Sequence, residues 1–492
     1  RARVRSGAKG RTALWGGIAA GLGLSLLYIG VPSALLVFSP LVLLALWTLG
    51  ACSPESRTPA RPNVLLIFTD DQRYDSLSIT GNPYIQTPAL DRIAAEGALF
   101  RRAYVSTSRC CPGRAALLTG KHATRHGVWN NHPEPGSLDG HDSVADHLDR
   151  AGYRTAWIGK WHLPNPGGGP VRGFDRWVSY EGPGSHFDQV LNVDGESVQS
   201  EGFQADRLTD HALEFLGEAR DSDEPFFLTL AFKNPHVPMT PAPRHAGTLA
   251  HVPVALPVSA LDPVSSLPAF YRVLRNASGR HAIDDEEAYA RDLRAYWELM
   301  LSVDDNVQRV LDALTASGEL DDTLILVTTD NGQLLGEHGL QQKGLSYEPS
   351  IQVPLLMRFP ERIQAGRTMD QLVLTEDLLP TVLDVCGLDV PADVQGKSLF
   401  PILDDPSAPW RERFLYLAPA FGGEEGMVER AVVEERFKYV SFEAAGTREE
   451  ILFDRQSDPD ERVNLATRPD QASTLARMRQ WMGDERRRLG DL

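Results

Sequence analysis

The sequence predicts an α/β fold, with a large, mostly parallel sheet between helices, followed by a smaller antiparallel α+β domain. Compact apolar runs occur at residues 64–68, 156–158, 226–232, 324–327 and 354–357, and amphipathic helical patterns separate them at 89–96, 206–220 and 286–317. Strands buried on both faces have such continuous apolar runs. Beyond residue 400, four closely spaced strand-like runs precede a charged helical pattern at 471–488, which is typical of a small α+β unit.

The first fifty residues have the composition of a segment directed to a membrane. Five positive charges lie within residues 1–11, and residues 12–54 contain no charged side chain. Pro32 and Pro40 interrupt this apolar stretch, so one straight spanning helix is not expected. We therefore predict a signal or membrane-anchor segment at 1–52, a linker at 53–62, a large α/β domain at 63–400 and the small domain at 401–492.

Cys52 leaves two interpretations of this segment open. It follows Leu49, Gly50 and Ala51, which resembles a bacterial lipobox, in which the cysteine is lipidated and becomes the mature N-terminus. The alternative is a plain anchor helix with an incidental cysteine. Both predict a membrane-tethered protein, either a lipoprotein or one with an anchor, whose folded part lies outside the cytoplasm, at the cell surface or in the periplasm.

Charge and cysteine content exclude two classes of protein. The formal net charge of −17 argues against nucleic acid as a partner, because binding to the phosphate backbone requires a basic surface. An anionic small substrate remains compatible, since a few local cations can attract it into a cleft. Four cysteines in 492 residues cannot form the disulfide framework of a small secreted domain.

Polar side chains follow four of the predicted strands. In open α/β sheets ligands bind outside the carboxyl ends of the strands, so these side chains are the first candidates for a site. They are Asp70 and Asp71, Lys160 and His162, His236, and Asp330 and Asn331. Carboxylate and amide oxygens suit calcium or magnesium better than zinc. One Asp-Asp pair alone would be explained as a cap or turn, but two pairs beside lysine and histidine favour a metal site.

Cys110 is predicted to lie at the start of a helix. Pro112 falls in its first turn and Gly120 at its end, which are the usual positions of these residues. Helix N-termini attract anions, and Arg114 falls on the same face four residues later. The segment therefore predicts a cradle for an anion such as sulfate. The alternative is a buried thiol beside an incidental arginine.

These residues together resemble the formylglycine-dependent sulfatases of the alkaline phosphatase superfamily. The resemblance rests on Cys110-x-Pro112-x-Arg114 with Leu118-Thr119-Gly120, on Thr69-Asp70-Asp71-Gln72, Gly159-Lys160-Trp161-His162-Leu163, Asn234-Pro235-His236-Val237-Pro238 and Thr329-Asp330-Asn331-Gly332, and on Lys343. The bare Cys-x-Pro-x-Arg pattern is expected by accident about 0.03 times in this composition. One departure is Gly113, where serine is commonest in the family.

The resemblance implies a reaction and a role for each residue. Cys110 would be oxidised to formylglycine by a formylglycine-generating enzyme, and the hydrated aldehyde would be the nucleophile. Calcium, with magnesium as the alternative, would be held by Asp70, Asp71, Asp330, Asn331 and the modified Cys110. The remaining charge would be held by Arg114, Lys160 and Lys343. His236 would protonate the leaving alcohol, and His162 would orient or deprotonate the nucleophile.

The resemblance also implies a sulfated small molecule or glycan as substrate, with a sulfated sugar preferred because a surface-tethered enzyme encounters polymers first. Two alternatives stay open at this point. One is a phosphoester hydrolase or phosphoglycerol transferase of the same superfamily, although those enzymes use serine or threonine and usually zinc. The other is a catalytically inactive surface lipoprotein that binds glycan.

Overall fold

An eleven-stranded mixed sheet lies at the centre of the computed structural model. Its spatial order is β12-β2-β11-β8-β1-β7-β3-β4-β5-β6, with β13 beside β2. The strands of this sheet are β1 (Asn63–Asp70), β2 (Ala98–Tyr104), β3 (Arg154–Gly159), β4 (Arg176–Ser179), β5 (Val190–Val193), β6 (Glu196–Gln199), β7 (Phe226–Pro235), β8 (Thr323–Thr329), β11 (Gln352–Arg358), β12 (Arg367–Met369) and β13 (Val373–Leu374), and a separate ribbon is formed by β9 (Leu334–Leu335) and β10 (Gln341–Gln342).

The structure describes residues 61–491 except 135, 269, 273–284, 420–427 and 445–446. The predicted anchor segment, Cys52 and most of the linker lie outside the described residues, so the predicted placement outside the cytoplasm stays a prediction. Across the described ranges, no helix combines the length and the apolar composition needed to cross a membrane.

Helices cover both faces of the large sheet. The helices before the small sheet are α1 (Pro88–Ala95), α2 (Cys110–Thr119), α3 (Ala123–His126), α4 (Val144–Arg150), α5 (Gln204–Arg220), α6 (Glu286–Ser317), α7 (Glu348–Ile351), α8 (Leu378–Val385) and α9 (Phe400–Asp404). A further helix, α10 (Ala472–Leu489), packs on the C-terminal sheet described below. Alternate residues of β1 enter two different hydrophobic cores, with Leu65 and Ile67 in one and Leu66 and Phe68 in the other. This explains the unbroken apolar run in the sequence, because successive side chains of a strand point to opposite faces.

The four central strands β8, β1, β7 and β3 are neighbours in space and are mutually parallel. Their carboxyl ends therefore meet at one edge of the sheet. The strand β11 is antiparallel to both of its neighbours, β2 and β8. The α/β prediction with a mostly parallel sheet is confirmed, and the reversed strands lie outside the central group that forms the edge described below.

A four-stranded antiparallel sheet follows, as predicted. It consists of β14 (Arg413–Pro419), β15 (Val428–Glu434), β16 (Phe437–Ala444) and β17 (Thr447–Asp454). One face, with Phe414 and Val433, joins the core that contains Phe68, and the other face, with Leu415 and Val432, packs on α10. The two sheets share this hydrophobic core. The division into two domains at residues 400 and 401 therefore stays a prediction.

A substitution at the fully buried Leu228 of β7 measures how much packing of the central strands contributes to the free energy of unfolding. Leu228→Ala should lower the free energy of unfolding by about 2–5 kcal/mol, since it leaves a cavity between packed layers. Denaturant titration followed by circular dichroism measures this change. Leu261→Ala is the matched control, because Leu261 is 71% exposed and should change stability by less than about 0.5 kcal/mol. Equal effects of the two substitutions would contradict this packing.

Candidate active site

Side chains at the ends of the four central strands converge at one edge of the sheet. Asp70 ends β1, Asp330 follows β8, Lys160 follows β3 and His236 follows β7. The strand pairing explains this convergence, since Asp70 is in register with Pro235 and Thr69 is in register with Thr329. Residues far apart in the sequence therefore form one cluster.

Three carboxylates and three cationic side chains form ion pairs in this cluster. Lys160 Nζ forms an ion pair with Asp70, Lys343 Nζ with Asp71, and Arg114 Nε with Asp330 at 2.9 Å. The acidic residues are also tied to one another, because the Asp71 amide donates to Asp330 Oδ1 at 3.2 Å. All of these side chains are buried or nearly so. Their charges are therefore screened little by solvent.

The pKa values of two aspartates diverge within this cluster. Burial alone would raise the pKa of Asp70, but Lys160, His236 and Arg114 outweigh it and hold that pKa well below its usual range. Burial and the negative charge of Asp70 raise the pKa of Asp330 well above its usual range, despite the ion pair with Arg114. The two neighbouring carboxyl groups therefore differ in how strongly they hold a proton.

Cys110 is the first residue of α2, and its thiol lies among these charges. Its Sγ atom is 3.0 Å from Lys343 Nζ, 3.5 Å from Asp70 Oδ1 and 3.9 Å from Lys160 Nζ. Burial would raise the pKa of the thiol, but the charges of Lys160 and Lys343 outweigh burial, and the pKa lies below its ordinary value. The structure thus brings the Cys110 side chain into contact with the strand-end cluster.

Cys111 faces a different environment. Its thiol donates to the His162 carbonyl oxygen at 2.7 Å, and burial raises its pKa to about 12. The adjacent cysteines therefore differ in surroundings, because only Cys110 contacts the carboxylates and lysines.

Gly113 allows α2 to approach the end of β8. A Cβ atom at this position would lie 2.2 Å from the Asp330 carbonyl oxygen, which is too close without a backbone shift. One turn of the helix therefore rests directly on the loop that carries Asp330 and Asn331. This close approach gives a physical reason for glycine where the resembling family most often has serine.

Two histidines flank the cluster. His236 Nε2 lies 3.7 Å from Asp71 Oδ2, and one ligand atom each from Asp70, Asp71, Cys110 and His236 lie within 4.8 Å of one another. His162 is half-buried after β3, and burial together with Lys160 lowers its pKa to about 2, so the ring is neutral near pH 7. Its Nδ1 atom is buried and makes no hydrogen bond.

The oxygen atoms of this cluster fit a hard divalent cation. The Asn331 Oδ1 atom is buried without a hydrogen-bond partner, while its amide nitrogen donates to Asp71 Oδ1 at 2.6 Å. Asp70, Asp71 and Asp330 supply carboxylate oxygens beside it, a donor set that suits calcium or magnesium. The unpartnered amide oxygen and the raised pKa of Asp330 both indicate that the residues present suit a cation.

Lys233 is a residue of this edge that the sequence analysis missed. It lies near the end of β7, it is only 1% exposed, and its ammonium is 3.3 Å from His236 Nδ1. The available signal was a lysine directly after the apolar run 226–232. The structure brings the predicted site residues to the same edge and adds Lys233, but their individual roles stay predictions.

The chain is similar to known sulfatases over most of its length. Residues 62–388 match the family described as Sulfatase, and residues 336–488 match the one described as N-sulphoglucosamine sulphohydrolase, C-terminal. An N-acetylglucosamine-6-O-sulfatase of Bacteroides thetaiotaomicron is 30% identical over 513 residues, covering 91% of this chain and 90% of that protein. An N-acetylglucosamine-6-sulfatase of Homo sapiens is 33% identical over 417 residues, covering 78% of this chain and 72% of that protein.

A solved structure shares the fold and part of the sequence. It is described as a complex with its substrate D-glucosamine-2-N,6-O-disulfate, is 29% identical to this chain, and has a TM-score of 0.78. The alignment covers 88% of this chain and 98% of the other. Because the family match spans well over half of the sequence and includes every residue of the strand-end cluster, this chain belongs to the sulfatase family of hydrolases.

Proposed function

We propose that this sulfatase removes sulfate from a sulfated sugar or glycan, with Cys110 oxidised to formylglycine as its nucleophile. The observation that carries the proposal is the position of Cys110, whose side chain is buried at the N-terminus of α2 between Lys343, Lys160 and Asp70. Formylglycine at this position, once hydrated, supplies one hydroxyl to attack sulfur and a second to expel sulfate. No water molecule then needs to attack sulfur.

Asp70, Asp71, Asp330 and Asn331 are the residues that would hold calcium, or magnesium, beside residue 110. The bound ion would supply a Lewis acid that polarises a sulfate oxygen and lowers the pKa of the attacking hydroxyl. Without an ion, three carboxylates match three cations in the cluster, so its formal charge is balanced. A divalent ion gives the cluster a net positive charge, which favours an incoming sulfate group.

Arg114, Lys160 and Lys343 hold the negative charge of the reacting group in this proposal. Their positions are fixed before substrate arrives, because Arg114 pairs with Asp330 and each lysine pairs with one aspartate. Fixed charges in a buried site stabilise developing charge without reorganisation during the reaction. Transfer of a sulfuryl group, like that of a phosphoryl group, requires mainly positioning and electrostatic stabilisation from the protein.

His236 and His162 move protons at opposite ends of the reacting bond. His236 is the proposed general acid for the leaving alcohol, because its Nε2 atom faces Asp71 at the edge of the cluster. His162 is the proposed base or orienting group for the nucleophile, since its ring is neutral and it follows Lys160 on the same strand end. General acid catalysis typically contributes about 10²–10⁴-fold.

The substrate proposal rests on the relatives. Two of them are named for the 6-sulfate of N-acetylglucosamine, and a solved structure of a similar protein is described as a complex with D-glucosamine-2-N,6-O-disulfate. Sugars with a 6-O-sulfate on glucosamine are therefore the first substrates to test. Release of inorganic sulfate across a panel of 6-O-, 4-O- and 2-O-sulfated sugars tests the proposal, and activity on none of them would contradict it.

Oxidation should occur at Cys110 and not at Cys111 when the chain is produced with a formylglycine-generating enzyme. Only Cys110 has proline and arginine at the spacing of the family motif, and only its side chain contacts the strand-end cluster. Peptide mass spectrometry measures the modification at each position. An active preparation with an intact thiol at Cys110 would refute the proposed nucleophile.

Chelation should abolish activity, and calcium or magnesium should restore it. Asp330→Ala should lower kcat/KM by about 10³-fold or more, because a Lewis acid contributes several kcal/mol to the transition state. Steady-state kinetics and metal analysis of the purified variant measure both effects. Asp221→Ala is the control, since that carboxylate is exposed at the end of α5. Restoration by zinc alone would instead favour phosphoester chemistry.

The two histidines should differ in their dependence on the leaving group. His236→Ala should slow a sugar sulfate about 10²–10⁴-fold but an activated aryl sulfate far less, because a phenolate departs without a proton. His162→Ala should slow both substrates by similar factors, since it acts on the nucleophile. Parallel kcat/KM measurements on 4-nitrophenyl sulfate and a sugar 6-sulfate compare them. Equal losses in His236→Ala, with chemistry as the slow step, would show that His236 is not the acid.

A further inference from the structure

Lys233 is a buried cation of the active-site edge that the proposed mechanism does not use. Arg114, Lys160 and Lys343 each pair with a carboxylate of the cluster. In the described part of the chain, by contrast, no carboxylate oxygen lies within ion-pair distance of the Lys233 ammonium, and burial lowers its pKa to about 8. Asp70 and Asp71 offset only part of this effect of burial. A buried lysine without an ion pair is costly, so its specific contacts need an explanation.

The contacts of Lys233 converge on the side chain of His236. Its Nζ atom donates to the Val237 carbonyl oxygen at 3.0 Å and lies 3.3 Å from His236 Nδ1. The same carbonyl oxygen is 2.7 Å from His236 Nδ1. Because a carbonyl oxygen only accepts, it receives one hydrogen bond from the lysine and one from the Nδ1–H of the ring. This arrangement leaves Nε2 as the ring nitrogen that faces the cluster.

The backbone of His236 is fixed from two sides. Its amide donates to the Lys233 carbonyl oxygen at 2.9 Å, which closes the turn after β7. Its carbonyl oxygen accepts from His186 Nε2 at 2.8 Å, and His186 is itself buried. With the backbone fixed, the His236 side chain can still rotate. The contacts of the ring with Lys233 and with the Val237 carbonyl oxygen limit this rotation.

We propose that Lys233 is a positioning residue for His236, holding the Val237 carbonyl oxygen so that the imidazole Nε2 stays directed at the leaving oxygen. The inference rests on the proposed role of His236 as general acid. Ordering the ring before substrate arrives removes an entropic cost from the proton-transfer step. Lys233 therefore contributes, through His236, part of the rate enhancement that His236 provides.

Lys233→Met tests this role, because methionine has a similar length and no donor. Its kcat for a sugar 6-sulfate should fall about 10–100-fold, a fraction of the general-acid contribution, while kcat for 4-nitrophenyl sulfate falls less than about threefold. KM should change little for both. The retained aryl sulfatase activity also shows that the variant is folded. Equal losses on the two substrates would overturn the proposal.

Lys121→Met is the matched control. Lys121 is also buried, and its ammonium lies 3.2 Å from His141 Nδ1, although unlike Lys233 it forms an ion pair with Asp393. It follows the far end of α2, about 15 Å from Cys110 along the helix. Both substrates should keep their rates in this variant. A selective loss on the sugar sulfate here would show that the effect is not specific to Lys233.

A double-mutant cycle separates this inference from the proposed function. In the His236→Ala background, Lys233→Met should have almost no further effect on the sugar sulfate, since there is no ring left to position. Additive losses would overturn the positioning role even if His236 is the acid. If His236→Ala slows both substrates equally, the acid assignment fails, and non-additivity still tests the link between the two residues. Lys233→Gln, which keeps a shorter donor, should lose less than Lys233→Met, and it replaces that variant if methionine prevents folding.

Discussion

The active-site edge depends on the mutual compensation of buried charges at the ends of four adjacent parallel strands. Asp70, Asp71 and Asp330 are forced together by strand pairing, and three like charges in a water-poor site repel one another strongly. Arg114, Lys160 and Lys343 offset this repulsion through one ion pair each. Removing one partner would leave an uncompensated buried charge, which typically costs several kcal/mol. The cluster therefore behaves as one unit.

The C-terminal sheet supports this unit from outside the large sheet. The Tyr416 hydroxyl lies 2.8 Å from Ser108 Oγ, two residues before Cys110, and Glu429 Oε1 accepts from the Ser346 amide at 2.9 Å, three residues after Lys343. Both contacts come from strands β14 and β15. The sheet thus contacts the two segments that carry Cys110 and Lys343.

The sequence was informative where chemistry and burial leave a local pattern. Strands buried on both faces gave unbroken apolar runs, and the polar residues after them marked the edge where the charged side chains cluster. The exposed edge strand β6 (Glu196–Gln199) gave no such signal. All four of its residues are exposed, so its sequence shows no alternation of buried apolar and exposed polar residues. The strand β2 was hidden by Arg101 and Arg102, whose side chains leave the core midway along it. Lys233 was missed because its role depends on a turn that brings Val237 back beside it.

These paired charges should form the site of one divalent cation beside residue 110. A crystal structure of the enzyme grown with calcium tests it most directly, through the electron density and anomalous signal at the strand edge. We expect one ion bonded to oxygens of Asp70, Asp71, Asp330 and Asn331. The ammonium groups of Lys160 and Lys343 should then lie farther from Asp70 and Asp71 and closer to the sulfate position. An ion bound elsewhere, or intact lysine–aspartate pairs with no ion at saturating calcium, would contradict it.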